Sequence, residues 1–217
     1  GRAIHSYPNV AQVPNVASAY GVECRQLFKA PEGWYQAGID CSGLELRCLA
    51  HYMSRYDDGA YAHEILNGDI HTANQKSAGL PTRNDAKRFI YAYLYGAGDE
   101  LIGQLVGGGV SEGRKIKKEF LQKTPALDSL RMAIHNSLVA EEKYGKVVHW
   151  KRKYLRGLDG RVLPVRSIHS ALNLLLQSCG AVICKNWIVD LEEALVSKHK
   201  LVHGEDFMYM AWVHDEV

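Results

Sequence analysis

Several short patterns that would identify a protein's chemistry directly are missing from this sequence. The 217 residues include five cysteines, an odd number, and no Cys-x-x-Cys pair with metal-binding spacing. We therefore expect reduced thiols in a cytosolic setting, and we assign the thiols no catalytic role. The glycines between residues 96 and 103 do not fit a dinucleotide-binding fingerprint, and no Walker loop is present. His63-Glu64 lacks the second histidine of a zinc-protease helix.

Long apolar runs and a strong charge of one sign are missing as well. No apolar run reaches the roughly 18 residues that a membrane span needs, so we expect no membrane partner. The net charge of +2 is too small to indicate a nucleic-acid binder by itself. What remains is an ordinary globular composition, with 47% hydrophobic and 23% charged residues. The length suffices for one large domain or two small ones.

The start of the chain predicts an irregular segment, then a strand and a helix. Residues 1–33 contain three prolines that interrupt regular structure. Residues 34–40 form a short apolar run that is typical of a strand, and a helix follows to about Met53. The sequence Tyr56-Asp57-Asp58-Gly59 predicts a turn.

The middle of the chain, from residue 60 to about 144, predicts mostly helix. Helix breakers divide this stretch at Gly68, Gly79-Leu80-Pro81, Gly107-Gly108-Gly109 and Thr124-Pro125.

The last part predicts a hairpin, a long helix and a strand. The hairpin covers residues 147–165 and turns at Asp159-Gly160, and the strand covers residues 207–213. The helix runs from about 167 to 198, and its expected apolar face is Leu172, Leu175, Leu176, Ala181, Ile183 and Ile188. A helical insertion between two segments that each carry an acidic strand end predicts a split domain of the helix-rich α+β class.

Two acidic positions follow apolar strand-like segments near opposite ends of the chain. Residues 34–40 end on Asp40, and residues 207–213 lead into His214, Asp215 and Glu216. A buried carboxylate is costly unless something compensates its charge, and a divalent cation is a strong compensator. If the two segments meet on one sheet, they could hold a pair of metal ions about 3.5–4 Å apart, as in in-line phosphoryl transfer. The alternative is two ordinary strand-end acids that never meet.

A basic and aromatic stripe is predicted on the helix that begins after Thr82. Arg83, Lys87, Tyr91 and Tyr95 recur every four residues, so they follow one face of an α-helix. Thr82 is a candidate N-cap. Two cations near a helix N-terminus, followed by aromatic rings, suit a nucleoside triphosphate. The alternative is a solvated basic face whose rings pack on a neighbour.

Three sequence motifs resemble those of the family A DNA polymerases, also called the DNA polymerase I family. Residues 40–47, Asp-Cys-Ser-Gly-Leu-Glu-Leu-Arg, resemble motif A. The stripe from Arg83 to Tyr95-Gly96 resembles motif B, and residues 213–216, Val-His-Asp-Glu, resemble motif C. The order matches, and the resemblance covers essentially the whole chain. Longer runs, such as residues 62–71 and 89–100, are similar to the replicative polymerases of podovirus-type T-odd phages.

The resemblance implies a right-hand polymerase fold and a DNA-directed DNA polymerase of phage DNA replication. Residues 1–52 and 173–217 would form parts of the palm, and residues 53–172 the fingers. The palm would be truncated after motif C, and the thumb and any exonuclease domain would lie outside this sequence. We therefore expect a fragment that is inactive by itself. A non-catalytic DNA- or nucleotide-binding fragment and a relative of the single-subunit RNA polymerases are the alternatives.

The resemblance also implies which residues catalyse the transfer of dNMP to a primer 3′-hydroxyl. Asp40 and Asp215 would carry two Mg²⁺ ions, with the backbone carbonyl of Cys41 as a further ligand. Lys87 would act as an acid toward the leaving pyrophosphate. Glu216 is adjacent and has a secondary role.

The dNTP would be bound by His71, Arg83, Lys87, Tyr91 and Glu45 in the family's arrangement. Arg83, Lys87 and His71 match the phosphate-binding residues. Glu45 matches the residue that excludes a ribose 2′-hydroxyl, although Ser42-x-x-Glu45 also fits the pattern of a helix capping box. The Tyr91 hydroxyl can replace the hydrogen bond that a dideoxynucleotide lacks.

Primer–template DNA is the remaining implied partner. The residues that match the family's DNA-contact positions are Arg2, Asn9, Gln12, Arg25, Tyr95, Asn173, Gln177 and His214, with His169 as a secondary candidate. Residues 146–166 hold seven Lys or Arg and one acid, and are either a template-facing surface or a solvated hairpin. A host thioredoxin-like processivity factor would bind outside this sequence, in the cytoplasm of an infected bacterium.

Overall fold

Helices account for most of the chain in the computed structural model, which describes residue 2 and residues 4–217. The helices are α1 (Gly21–Gln26), α2 (Leu44–Asp57), α3 (Ala60–Asn67), α4 (Ile70–Ala78), α5 (Arg83–Leu94), α6 (Asp99–Gln104), α7 (Val110–Lys123), α8 (Pro125–Leu138) and α9 (Ala171–Glu193). Short 3₁₀ turns cover Val10–Gln12 and Ile168–Ser170, and a π-helical turn covers Ala194–Lys198. The strands are β1 (Val139–Lys143), β2 (Lys146–Trp150), β3 (Tyr154–Arg156) and β4 (Val162–Pro164), in two small antiparallel sheets. These elements confirm the predicted helix-rich α+β class.

The helix breaks in the middle of the chain fall where the sequence predicts them. Gly68 lies between α3 and α4, residues 79–81 between α4 and α5, and residues 107–109 between α6 and α7. Thr124 separates α7 from α8, which begins at Pro125. Gly79 ends α4 in the left-handed conformation, with φ of 65°, which a glycine adopts at little cost. Thr82 caps α5 as predicted, because its Oγ1 accepts a hydrogen bond from the Asp85 amide at 3.0 Å.

The single predicted hairpin over residues 147–165 is wrong in part, because the structure has two hairpins. The β3–β4 hairpin includes the predicted turn at Asp159-Gly160. In contrast, β2 pairs with β1, a segment for which the sequence predicts helix. Tyr144 and Gly145 both have positive φ, 51° and 73°, so they form a tight turn that folds β2 back onto β1.

The two predicted strands that lead to the acidic positions are also wrong. Residues 34–39 and 208–212 have no regular strand structure, and the pairing there consists of isolated bridges such as Asp40 with Glu216. A strand requires a continuous ladder with a neighbour, and the described residues supply only these bridges. The apolar side chains are therefore not uniformly buried: Tyr35 is 99% exposed and Met210 is 51% exposed.

The predicted long helix is confirmed as α9 and its π-helical extension. Leu175, Leu176 and Ala181 on its predicted apolar face are buried. Ile183 is instead 37% exposed, and Val182 is buried. Residues on several sides of α9 are therefore covered, so a single apolar stripe does not describe its packing.

Among the described residues, one helical stretch is long and apolar enough to cross a membrane by length and composition alone. It covers Ile168–Lys198, and 39% of its most apolar window is buried within the structure. This is weak evidence for a span, because the core helix of a protein without a membrane has the same properties. The absence of a membrane partner stays a prediction.

The chain divides into two compact units, which we call the terminal unit and the central unit. The terminal unit consists of Gly1–Leu44 with Gly180–Val217, and the central unit consists of Glu45–Cys179. In the central unit, Phe89 and Phe120 are fully buried and meet edge to face at 5.1 Å between ring centroids. The expected palm and fingers divide the chain after residues 52 and 172, whereas the two compact units divide it after residues 44 and 179. The division into palm and fingers stays a prediction.

Candidate active site

Two acidic segments far apart in sequence pair with each other in the terminal unit. The amide and carbonyl of Ile39 exchange hydrogen bonds with those of Val217, both at 2.9 Å. The Cys41 amide donates to the Asp215 carbonyl, also at 2.9 Å. Asp40 therefore lies opposite Glu216 and next to the segment that carries Asp215. The structure brings these acids together and excludes the alternative in which their segments never meet.

A tight turn sets the position of Asp215. Val213 and Glu216 exchange backbone hydrogen bonds at 2.8 and 2.9 Å, so the chain reverses at His214 and Asp215. His214 adopts φ of 59°, and its carbonyl accepts a hydrogen bond from Trp212 Nε1 at 3.1 Å. Its ring Nδ1 is buried without a hydrogen-bond partner.

Both aspartates act electrostatically on the thiol of Cys41. Burial raises the pKa of this thiol, and the negative charges of Asp215 and Asp40 raise it further, whereas a hydrogen bond with Cys184 opposes the shift. The two carboxylates therefore lie near the same side chain. A counter-charge is present as well, because Arg2 Nη2 is 3.9 Å from Asp215 Oδ1.

The donor set at this turn fits a hard divalent cation only in part. Asp40, Asp215 and the Cys41 carbonyl offer oxygen ligands, which Mg²⁺ prefers. Within residues 4–217 and Arg2, however, no group of three or more His, Cys, Asp or Glu side chains is arranged to hold a metal ion. Mg²⁺ keeps several waters and is commonly bound by one or two carboxylates together with substrate phosphates. Asp40 and Asp215 supply two carboxylates, and any other ligands would come from solvent and substrate.

The predicted basic and aromatic stripe lies on the exposed side of α5 in the central unit. Arg83 and Lys87 are exposed, Tyr91 is half-buried, and Tyr95 directly follows the helix and is 48% exposed. The opposite side of α5 is buried and consists of Ala86, Phe89, Ile90, Tyr93 and Leu94. The helix is therefore anchored by one face and presents the predicted phosphate-binding residues on the other.

His71 joins this stripe from the neighbouring helix α4. Its ring centroid is 6.4 Å from that of Tyr91. Burial lowers the pKa of His71, and the positive charges of Arg83 and Lys87 lower it further, while Asp69 opposes them. Its Nδ1 is buried without a hydrogen-bond partner. The structure therefore gathers the three predicted phosphate-binding residues, His71, Arg83 and Lys87, and the predicted nucleotide contact Tyr91 in one region.

An acidic residue that sequence reasoning missed lies at the centre of this region. Asp69 Oδ2 accepts a hydrogen bond from Arg83 Nε at 2.6 Å, and Asp69 Oδ1 accepts one from Arg83 Nη2 at 3.0 Å. Asp69 also caps α4, where it accepts from the His71 amide at 3.1 Å. An Asp directly before a helix is a recognisable N-cap signal, but its pairing with Arg83 could not be read from the sequence.

The remaining predicted nucleotide contact, Glu45, is linked to two predicted DNA contacts. The Tyr95 hydroxyl donates to Glu45 Oε1 at 3.0 Å, and Gln177 Nε2 donates to the Tyr95 hydroxyl at 3.2 Å. The chain Glu45–Tyr95–Gln177 joins α2, the end of α5 and α9 within the central unit. The predicted capping box between Ser42 and Glu45 stays a prediction.

The other predicted DNA contacts are dispersed. In the terminal unit, Asn9 caps a 3₁₀ turn that includes Gln12, and Arg25 Nε donates to the Pro14 carbonyl at 2.9 Å. Asn173 lies on α9, one turn before Gln177.

His169, the secondary candidate, lines a cavity of about 240 Å³ with Tyr93, Arg131 and His135. In the basic segment, the Arg161 and Asp159 side chains form an ion pair at 2.6 Å, which fixes the β3–β4 turn.

Comparison with known proteins decides the family. The sequence model that describes DNA polymerase family A matches residues 1–217. The chain belongs to DNA polymerase family A. It is 57% identical to the DNA-directed DNA polymerases of Enterobacteria phage T3 and Escherichia phage T7 over 230 aligned residues, which include 100% of this chain. It spans about a third (32%) of the length of these relatives.

The fold of this family A chain is also found among solved structures. The POL domain of Pol1 from M. smegmatis, in complex with DNA primer-template and dNTP, matches with a TM-score of 0.76 at 20% sequence identity. The match covers 100% of this chain and 38% of that one. The polymerase fold and the resemblance to the T-odd phage enzymes are thus confirmed, and the roles of individual residues stay predictions.

Proposed function

We propose that this chain is the part of a phage DNA-directed DNA polymerase that carries its catalytic and nucleotide-binding residues. The reaction is the template-directed transfer of dNMP to a primer 3′-hydroxyl. The observation that carries the proposal is the backbone pairing of residues 39–41 with 215–217, which gathers Asp40 and Asp215. Relatives 57% identical to this chain bear the name of that activity.

Asp40, Asp215 and the Cys41 carbonyl would hold two Mg²⁺ ions, with Glu216 beside them. Bound Mg²⁺ lowers the pKa of a coordinated hydroxyl and neutralises charge on phosphate oxygens. The tight turn at His214 and Asp215, together with the hydrogen bond from the Cys41 amide to the Asp215 carbonyl, holds the backbone of Asp215 beside that of residues 40–41. Arg2 offsets part of the charge of Asp215.

In the central unit, Arg83, Lys87 and His71 would bind the triphosphate of an incoming dNTP. The two cations lie in the first turns of α5, where the helix dipole adds to their attraction for phosphate. Lys87 would donate a proton to the leaving pyrophosphate. His71 has a lowered pKa, so its neutral ring can donate a hydrogen bond to a phosphate oxygen near neutral pH.

Selection of the nucleotide and contact with DNA would involve the Glu45–Tyr95–Gln177 chain. Glu45 would exclude a ribose 2′-hydroxyl, and Tyr95 would stack near the templating base. Gln177 and Asn173 would follow the minor groove of the primer–template, where the acceptor pattern is nearly the same for all correct pairs. Arg2, Asn9, Gln12, Arg25 and His214 would contact the same DNA.

The whole polymerase would act in the cytoplasm of an infected bacterial host. Any thioredoxin-like processivity factor would bind outside residues 1–217. The solved relative from M. smegmatis is in complex with DNA primer-template and dNTP, which supports the same two partners here.

Primer extension by a chimera tests this function. Residues 1–217 replace the matching segment of the phage T7 polymerase, and extension of a labelled primer–template is measured with Mg²⁺ and dNTPs. Asp40→Ala and Asp215→Ala should each reduce kcat by about 10³-fold or more. Glu205→Ala, which removes an exposed acid from the same unit, is the control and should retain activity. Retained activity in either aspartate variant would remove that residue from the proposed metal site.

A further inference from the structure

One carboxylate, that of Asp69, holds two of the proposed triphosphate residues at once. It accepts two hydrogen bonds from the side chain of Arg83, at 2.6 and 3.0 Å. It also accepts hydrogen bonds from the backbone amide of His71 at 3.1 Å and from the hydroxyl of Thr72 at 2.8 Å. Asp69 directly precedes α4, and Arg83 is the first residue of α5. A single side chain therefore fixes the beginnings of two neighbouring helices.

The Asp69–Arg83 pair is too exposed to be explained as a stabilising ion pair. The two side chains are 42% and 54% exposed, respectively. Ion pairs at such positions contribute little to the free energy of unfolding because water and salt screen them. The geometry is nevertheless bidentate, which restricts the orientation of the guanidinium more than a single contact does. The pair is consequently better explained by the orientation of Arg83 than by stability.

The orientation of the pair leaves donors for a second anion. Asp69 engages the Nε–H and one N–H of Nη2. A guanidinium carries further N–H groups on Nη1 and Nη2, in a rigid planar fork that matches phosphate oxygens. Asp69 lowers the rotational freedom of this fork before a ligand arrives, so less entropy is lost when phosphate binds.

The same carboxylate also sets the position of His71. The Asp69–His71 amide hydrogen bond defines the first turn of α4, and the ring of His71 then lies 6.4 Å from that of Tyr91. Burial lowers the pKa of His71, and the positive charges of Arg83 and Lys87 lower it further, so these three side chains lie close together. We propose that Asp69 is a positioning residue that preorganises Arg83 and His71 for the triphosphate of the incoming nucleotide. The inference rests on the proposed function.

The test separates the ion pair from the helix cap. Asp69→Asn keeps a capping oxygen, since Asn and Asp are equally good N-caps, but it removes the charge that orients Arg83. In the chimera, we expect the KM for dNTP to rise about tenfold, the effect of losing one charge-assisted hydrogen bond, with little change in kcat. Asp85→Asn is the matched control, because it removes one negative charge from the first turn of α5, the helix that begins at Arg83, and Asp85 is bound there to Thr82. Its KM should stay at the wild-type value.

A double-mutant cycle shows whether Asp69 acts through Arg83. In an Arg83→Gln background, Asp69→Asn should raise KM little further, because the residue that it orients is absent. Asp69→Ser, which keeps a capping hydroxyl but is too short for the bidentate pair, should behave like Asp69→Asn. An unchanged or lowered KM in Asp69→Asn, or fully additive effects with Arg83→Gln, would overturn the inference.

Nucleotide binding by the 217-residue chain itself gives a readout that does not depend on turnover. The dissociation constant for dATP with Mg²⁺ should rise about tenfold in Asp69→Asn and stay unchanged in Asp85→Asn. A chimera that binds dATP and responds to Asp69→Asn but never extends a primer contradicts the proposed polymerase function and retains the positioning role. If the unsubstituted chain and the unsubstituted chimera both fail to bind dATP, the positioning role fails together with the triphosphate role of Arg83.

Discussion

The hydroxyl of Tyr95 donates a hydrogen bond to Oε1 of Glu45 at 3.0 Å, across 50 residues of sequence. Tyr95 in turn accepts a hydrogen bond from Gln177 Nε2 at 3.2 Å. A residue proposed to select the sugar is thus held by a residue proposed to stack near the templating base. Because a carboxylate that selects by exclusion must stay in one place, Tyr95 supports the position of Glu45.

This relationship predicts graded effects on sugar selection. Glu45→Ala should increase the ratio of ribonucleotide to deoxyribonucleotide incorporation by about tenfold or more, because it removes the side chain that would meet the 2′-hydroxyl. Tyr95→Phe should increase the ratio less, since Glu45 stays but loses the hydrogen bond from the Tyr95 hydroxyl. Both ratios are measured by single-nucleotide extension with the chimera. A Tyr95→Phe ratio equal to that of the parent would show that Glu45 does not depend on this bond.

A second prediction concerns Tyr91 and dideoxynucleotides. By the family resemblance, the Tyr91 hydroxyl would replace the hydrogen bond that is lost when a nucleotide has no 3′-hydroxyl. Tyr91→Phe should therefore lower dideoxynucleotide incorporation relative to deoxynucleotide incorporation by about 10- to 100-fold, the range for a hydrogen bond to a charged group. Competition between the two nucleotides in primer extension measures the ratio. Tyr154→Phe, which removes a hydroxyl from β3 in the basic segment, is the control and should leave the ratio unchanged.

A third prediction concerns the pH dependence of stability through His71. Burial and the charges of Arg83 and Lys87 lower the pKa of this histidine below its ordinary value of 6.5. Between the two pKa values the unfolded chain binds more protons than the folded one, so the free energy of unfolding rises with pH there and falls as pH drops. Above about pH 6.5 the ring is mostly neutral in both states, so the cost of a charged His71 in the folded state is felt only as the pH falls below that value. When the pH is lowered from about 7.5 to 5.5, the free energy of unfolding of His71→Gln should therefore fall less than that of the parent.

Urea unfolding at both pH values measures this difference. His63→Gln is the control, because His63 is an exposed histidine on the neighbouring helix α3. It should keep the parent's pH dependence. Equal pH dependence in His71→Gln and the parent would mean that the ring is not held neutral by its surroundings.

The helical part of the fold follows from local signals. Thr82 supplies a capping oxygen, and Gly79 supplies the left-handed conformation that ends a helix, so both boundaries can be read from the sequence. The opposite holds for β1, whose Glu141, Glu142 and Lys143 have no strong strand preference. These residues form a strand because the turn at residues 144–145 places them beside β2, and that pairing is not a property of the segment alone.

The residues of the candidate site likewise divide into those marked by a local sequence signal and those that depend on packing. The acids at residues 40 and 215 and the stripe on α5 could be predicted, because each is marked by its own spacing or by its place after an apolar run. Asp69 could not be predicted as a partner of Arg83, since its sequence signal is that of an N-cap. The pairing depends on how α4 and α5 pack, which periodicity does not describe.

The last prediction concerns the close approach of α6 and α7 in the central unit. A side chain at Gly113 on α7 would overlap the carbonyl oxygen of Asp99 and lie 2.7 Å from the Gly103 amide nitrogen. These are backbone atoms, which cannot move aside as a flexible side chain can. Gly113→Ser should therefore lower the free energy of unfolding by about 1–3 kcal/mol or more, although helix propensity alone favours Ser over Gly by about 0.5 kcal/mol.

The same substitution four residues earlier provides the control. Gly109 precedes α7, has φ of −115°, and a Cβ there would meet no atom within 4 Å. Ser is also a better N-cap than Gly, so Gly109→Ser should be neutral or slightly stabilising. Urea unfolding of the two variants compares one added side chain in two backbone settings. If Gly113→Ser were as stable as Gly109→Ser, then α6 and α7 would be able to separate at little cost. The contact at Gly113 would then not be what holds these two helices together.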